Sequence, residues 1–372
     1  MPRDAAGVTE WEGARPGAAL VVNSLPSGQI PRKECTVVRA RWLRILVFSL
    51  IVLPTLLGPA AAGSARAQEE KPGTIKLDYA FYNPSSLVLR RFGWIEEEFK
   101  DEGIKVEWVW SAGSNKANEW LRSEAVDFGS TAGSAALLAR ANGSPIRTVY
   151  LYSKPEWTAL VVRKDSEITS IEQLKGKKVA ATKGTDPYFF LLQALHSVGL
   201  SQQDVEIVNL QHADGKTALE RGDVDAWSGL DPYMAQTEIE QGSRLIFRNI
   251  DFNTWGFLNA REEFLEKYPT YVTRILAQYE RARQWILENP EEAAQILAEE
   301  ADLSLEVAQR ELFERTVLDI NPIPGDEQKE VLTRIIPIFE AENQLSPGAD
   351  AAKSLDELID PQFISQIVTP QA

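Results

Sequence analysis

Hydroxyl and glycine residues recur in this sequence where an extended run gives way to a helical one. The pattern is densest at 126–134, V-D-F-G-S-T-A-G-S, and returns as S-A-G-S at 111–114, T-K-G-T-D at 182–186 and H-A-D-G at 212–215. A small polar turn at a helix start presents unpaired backbone N–H groups, hydroxyl donors and the positive end of the helix dipole at one place. That is donor chemistry suited to an anion. Any one such turn is equally an ordinary capped strand-to-helix connection; the repetition is what points to a site. Ser111, Gly113, Ser130, Thr131, Thr182, Gly184 and Thr185 are the candidate donors. Lys183 either adds one cation or is a solvated turn lysine. Trp157, Trp227 and Trp255 either wall an organic tail or pack as core near a hinge. Asp231 reads as a helix cap, with a further role if the ligand carries an amine.

The same inventory argues against catalysis. The chain has two histidines: His196 falls inside a helical pattern, and His212 lies in a turn with no nucleophile motif beside it. No nucleophile elbow, zinc-protease, phosphate-loop or dinucleotide fingerprint occurs. The one cysteine, Cys35, precedes the apolar run described below, so no disulfide, thiolate metal site or thiol nucleophile is expected in a processed chain. No cofactor is expected.

The elements that position these turns alternate. Residues 74–81 read as a strand, 87–102 as a helix ended by Gly103, 104–110 as a strand and 115–122 as a helix. Residues 126–128 end a short strand that Gly129, Ser130 and Thr131 interrupt, 132–142 form a helix and 146–152 a strand. A second series follows: strands at 157–163, 178–181, 205–210 and 224–227, with helices at 187–198, 216–221 and 232–241. In it Asp186 and Asp231 act as caps. Alternating strands and helices imply parallel sheets with a ligand crevice beyond the strands' carboxyl ends. Past a strand at 255–260 the chain reads as helices at 261–267, 270–288, 290–300, 304–318 and 325–342, expected to return to the first sheet. The fold class expected is α/β, two-lobed, with the ligand cleft between lobes and extra C-terminal helices on lobe 1. The divisions are 68–154 for the first part of lobe 1, 155–254 for lobe 2 and 255–372 for the rest of lobe 1. Two crossings between lobes are what hinge closure requires.

Residues 1–67 stand apart as an N-terminal extension and signal peptide. The apolar run at 45–57 follows Arg39, Arg41 and Arg44 and ends in small residues with Ala65-Arg66-Ala67, the pattern of a cleavable secretory signal. Its removal takes eight basic and four acidic residues from a chain of net charge −15, leaving −19. So acidic a protein is a poor partner for nucleic acid or anionic lipid. A monomer is expected.

F-G-S-T-A-G-S at 128–134, K-G-K-K-V-A at 175–180, A-D-G-K-T-A-L at 213–219 and V-D-A-W at 224–227 together resemble periplasmic substrate-binding proteins of ABC importers. Within these, Y-N-P-S-S at 82–86 and Asp231-Pro232-Tyr233 are most similar to the aliphatic sulfonate-binding family, with taurine- and nitrate/bicarbonate-binding proteins as neighbours. The resemblance implies a type II periplasmic binding protein fold, a small organic sulfonate between two lobes, an ABC permease as membrane partner and a periplasmic location. It adds Tyr82, Asn83, Ser85 and Thr158 to the candidate contacts. The alternatives are a taurine or nitrate/bicarbonate carrier of the same fold, or a thiamine-pyrimidine synthase-like protein, which would need clustered histidine and cysteine. On the processing reading, N-terminal sequencing of exported protein should give Gln68 as the first residue; a membrane-bound form retaining 45–57 is the contrary result.

Overall fold

The computed structural model describes residues 70–368. The predicted signal run, its cleavage site and Cys35 lie outside the described residues. No helix among the described residues is long and apolar enough to cross a membrane.

Two mixed sheets carry the fold. The strands are β1 (Thr74–Tyr79), β2 (Lys105–Trp110), β3 (Phe128–Ala132), β4 (Ile146–Pro155), β5 (Leu160–Val162), β6 (Lys178–Ala181), β7 (Glu206–Asn209), β8 (Ala226–Ser228), β9 (Arg244–Phe247), β10 (Gly256–Arg261) and β11 (Thr316–Val317). The first sheet runs β11-β4-β10-β3-β1-β2 and the second β7-β6-β8-β5-β9. The chain passes from one to the other between β4 and β5 and returns between β9 and β10.

Neither sheet is wholly parallel. β1 is parallel to β2 and β3, but β10 is antiparallel to β3 and β4. In the second sheet β5 runs antiparallel to β8 and β9. The reason lies in the crossings: a strand that enters or re-enters a sheet from the other lobe arrives against the direction set by the βα units. Pairing with β10 also corrects the expected turn at 129–131. Ser130 stands opposite Leu258 and Thr131 opposite Phe257, so these polar residues continue β3, and the helix begins only at Gly133.

The long helix expected over 87–102 is broken. Asn83 caps a helix at Pro84–Phe92, with its side chain accepting from Ser86 N; Gly93 then adopts a left-handed conformation (φ 64°) and a second helix runs Trp94–Phe99. Glycine meets that geometry without the Cβ penalty. The C-terminal segment also differs in part. Pro269–Glu288 is a continuous helix whose Tyr271, Val272, Ile275, Leu276 and Tyr279 face the core of the first sheet. The helix expected over 304–318 ends instead in a π turn at Arg310–Glu314 and passes into β11. Not every C-terminal element stays with the first sheet: Phe339, from the helix Ile336–Ala341, meets Phe189 of the second at 4.9 Å between ring centroids.

Arg315, at the end of the π turn, ties this segment to the second lobe. Its guanidinium donates to the buried Asp231 at 3.0 Å and to the partly exposed Glu238, while its carbonyl accepts Glu156 N at 2.7 Å. Removing the cation strands the buried Asp231 carboxylate away from water, a situation that costs about 3–5 kcal/mol. Arg315→Met is therefore expected to lower the unfolding free energy measured in urea by that margin, whereas a loss below about 1 kcal/mol would show that solvent reaches Asp231.

Candidate functional site

The expected turns do converge, although not every side chain in them faces the same way. Three helices begin where the two sheets meet: Ser114–Arg122 from the first, and Asp186–Ser197 and His212–Arg221 from the second. None has a side-chain cap on its N-terminus. Their proximity is direct. A Cβ placed on Gly113 would lie 2.7 Å from His212 Nε2, and one placed on Gly184 would lie 3.7 Å from Asn115 Cβ. Three positive helix ends from two lobes thus face one another across a short gap.

Among the described residues four serine and threonine hydroxyls are buried with no hydrogen-bond partner: Ser111 Oγ, just before the first of these helices, and Ser85 Oγ, Ser153 Oγ and Thr158 Oγ1. Buried polar atoms in proteins are nearly always paired, so four unmet hydroxyls call for an explanation. Ser85, Ser111 and Thr158 were expected from the sequence. Ser153 was not; it lies in β4 opposite Gly256, where a Cβ would come within 2.7 Å of its Oγ.

The hydroxyls of Ser130 and Thr131, by contrast, are consumed inside the protein. Ser130 Oγ donates to Asp78 at 2.8 Å and accepts from Asn83 Nδ2 at 2.8 Å, and Tyr82 donates its hydroxyl to Ser130 O at 3.0 Å. Thr131 Oγ1 donates to Ala132 O and accepts from Asn259 Nδ2. Thr182 and Thr185 are likewise committed, to Leu210 O and Thr182 O. Lys183 is exposed, with Nζ 5.9 Å from the Tyr188 ring.

The three tryptophans separate. Trp227 is wholly buried in the second sheet, its indole against Gly215. Trp255 sits under Lys154 Nζ in the return crossing. Trp157 meets Tyr82 edge-on at 5.9 Å and donates Nε1–H to Asp186 at 2.9 Å, so of the three it is the one beside the gap. Asp231 precedes Pro232, which holds the cap position of its helix; its Oδ1 accepts Ala235 N, and its other partner is Arg315.

Two carboxylates organise the site and neither was singled out as a site residue in the sequence. Asp186 does not cap its helix; it accepts from Ser134 Oγ, Thr254 N, Thr254 Oγ1 and Trp157 Nε1. Asp78, next to the end of β1, accepts Ser130 N at 2.9 Å on both oxygens. Burial raises its pKa from 3.8 to about 6; the Ser130 N–H and hydroxyl oppose the rise, as does Ser111 Oγ, which stands close without a well-formed bond. Burial also holds His212 down to about 3, so its ring is neutral. Among the described residues no group of three or more His, Cys, Asp or Glu side chains could hold a metal ion.

An acid whose folded-state pKa is raised binds more protons folded than unfolded between about pH 4 and 6, so its contribution to stability declines as pH rises through that window. The shift at Asp78 corresponds to about 3 kcal/mol. Asp78→Asn removes this dependence. Measured by urea unfolding, wild type should gain on the variant by up to that amount between pH 7 and pH 4; a constant difference is the contrary result.

A family model described as NMT1/THI5 like matches residues 97–293. A Bacillus subtilis protein named for aliphatic sulfonate binding is 29% identical over 84% of this chain and 91% of its own length. Among solved structures, the Xanthomonas axonopodis pv. citri alkanesulfonate-binding protein SsuA bound to MOPS aligns with TM-score 0.69 at 22% identity, covering 77% of this chain and 98% of that one. The periplasmic aliphatic sulphonate binding protein SsuA from Escherichia coli aligns with TM-score 0.66 at 25% identity, covering 78% and 93%. A 4-amino-5-hydroxymethyl-2-methylpyrimidine phosphate synthase from Aspergillus parasiticus is 25% identical over 59% of this chain and 68% of its own length. The architecture is that of the two-lobed type II periplasmic binding proteins.

Proposed function

The chain belongs to the NMT1/THI5-like family, and from that premise we propose that it is the extracytoplasmic solute-binding component of an ABC importer, capturing an aliphatic sulfonate between its lobes and delivering it to a membrane permease. The observation that carries this reading is the approach of three uncapped helix N-termini to one another in a protein that also leaves four serine and threonine hydroxyls buried and unpartnered among the described residues. A sulfonate does not titrate near neutral pH. It needs several donors and no proton acceptor, which is what hydroxyls and helix-end N–H groups offer. The donors come from both sheets, so a ligand touching Ser111 and Thr158 together also holds the lobes together.

The curated Bacillus subtilis and Escherichia coli relatives that align over 84% and 70% of this chain are named as binding proteins, which accords with a carrier rather than a catalyst. A cleavable leader at 45–67 would deliver the protein to the compartment in which such carriers work. The net charge of −19 expected after processing makes the attraction local: fixed donors inside the cleft act over a few ångströms and are little screened, while the surface charge repels at long range.

Charge-assisted hydrogen bonds of this kind contribute about 1.5–3 kcal/mol each. Ser111→Ala combined with Thr158→Val should weaken ethanesulfonate binding at least ten-fold by calorimetry, while raising salt from 20 to about 200 mM should change affinity less than three-fold. Unaltered binding in the double variant would place the anion elsewhere. A steep salt dependence would mean exposed cations hold it.

A further inference from the structure

The C-terminal stretch 326–360 bonds to both lobes in turn. Its two ends rest on the first. Leu332, in the helix Asp326–Thr333, would lie 3.3 Å from a Cβ on Gly133, and Asp360 N, just past the helix Ala351–Leu358, donates to Thr148 O at 3.0 Å. Between them the chain reaches the second lobe. Phe339 packs on Phe189, and Glu342 Oε1 stands 2.5 Å from His196 Nε2. Glu342 O accepts from Gln202 Nε2 at 3.2 Å, and Gln344 Nε2 donates to the Tyr188 hydroxyl at 3.3 Å. The polypeptide then turns back at once. Asn142, which follows the helix Gly133–Ala141 of the first lobe, donates Nδ2 to Gln344 O at 3.2 Å and accepts Ser346 N at 2.7 Å.

Asn343 makes that reversal. Its φ of 53° lies in the left-handed region, where asparagine is among the few side chains tolerated, and it separates Glu342 on the second lobe from the backbone that Asn142 holds on the first. The contact on the second lobe has a fixed place. The Glu342 side chain is 1% exposed, and among the described residues no lysine or arginine stands within 4 Å of its carboxylate, so His196 is its one ionisable partner. A buried carboxylate stripped of its partner is costly, which ties Glu342 to that histidine.

The helices that bring Asn142 and His196 here also meet at their starts, where Ser134 donates to Asp186. Residues 342–346 join them a second time, at Asn142 just past the end of one helix and at His196 in the last turn of the other. A movement of the lobes that changes the distance from Asn142 to His196 must break the bonds on one side or the other.

We propose that residues 339–346 are a clamp between the lobes, which holds them in the arrangement where the helix starts face one another and thereby governs how firmly a solute is retained. The control of retention rests on the sulfonate-carrier reading; the clamp itself does not.

The distance between the lobes can be read directly, because Cys35 is the chain's one cysteine. Spin labels at Asp101→Cys in the first lobe and Asp223→Cys in the second, both exposed, in a full chain carrying Cys35→Ser, report it by double electron–electron resonance. Asn142→Ala, and separately His196→Ala combined with Glu342→Ala, should broaden the distance distribution. Each loses hydrogen bonds worth about ten-fold in the balance between clamped and released arrangements, so the ethanesulfonate dissociation constant should rise by up to about ten-fold. If the double variant melts well below wild type, Asn142→Ala, at an exposed position, decides alone. A wild-type distribution in Asn142→Ala, or unaltered affinity in a variant whose distribution broadens, overturns the inference and leaves the sulfonate reading standing. If the unaltered protein binds no ethanesulfonate, the sulfonate reading fails and the distances decide: broadening supports the clamp, and a wild-type distribution overturns it.

Discussion

The carboxylate of Asp186 joins more of this molecule than any other single group in the site. It begins a helix of the second lobe, yet its oxygens accept from Ser134 of the first lobe, from Trp157 on the outward crossing and from Thr254 on the return. Both passages of the chain between sheets are therefore fixed against one atom group. Burial pushes its pKa up, and the four donors oppose that rise. A charge so placed is tolerable only with every lone pair used. The geometry of the gap, with three helix starts facing one another, follows from that anchoring.

A second buried carboxylate, Asp78, does the corresponding work inside the first lobe. By accepting Ser130 N and its hydroxyl it holds the end of β3 beside β1, and Asn83 and Tyr82 bind the same Ser130. The inner shell of polar residues is thus spent on holding backbone, and a different set, Ser85, Ser111, Ser153 and Thr158, is left free. Paired and unpartnered hydroxyls are interleaved along the chain. Preorganisation of this sort is useful to a carrier, because donors fixed before binding lose little freedom when the ligand arrives.

The distal device is the cluster of Arg315 with Asp231 and Glu238. It links the C-terminal segment to the second lobe, as Asp186 links that lobe to Ser134 of the first.

Much of this was determined by the sequence alone. Alternating apolar periods and Ser/Gly turns indicated two α/β lobes with ligand-facing loops, and the motif similarities pointed to the family, because both are local properties of residue type and spacing. The structure alone decided which hydroxyls are free. Ser130 and Ser111 look alike in sequence, but Ser130 stands where Asp78 and Asn83 claim it, and that pairing spans about fifty residues of chain. Asp186 read as a cap because an aspartate before Pro187 ordinarily is one; the donors that draw its carboxylate away come from Ser134, Trp157 and Thr254. The antiparallel β10 was hidden for the same reason, since strand direction depends on where a crossing re-enters the sheet. Local pattern fixes what a segment is, and partners distant in sequence fix what its polar atoms are for.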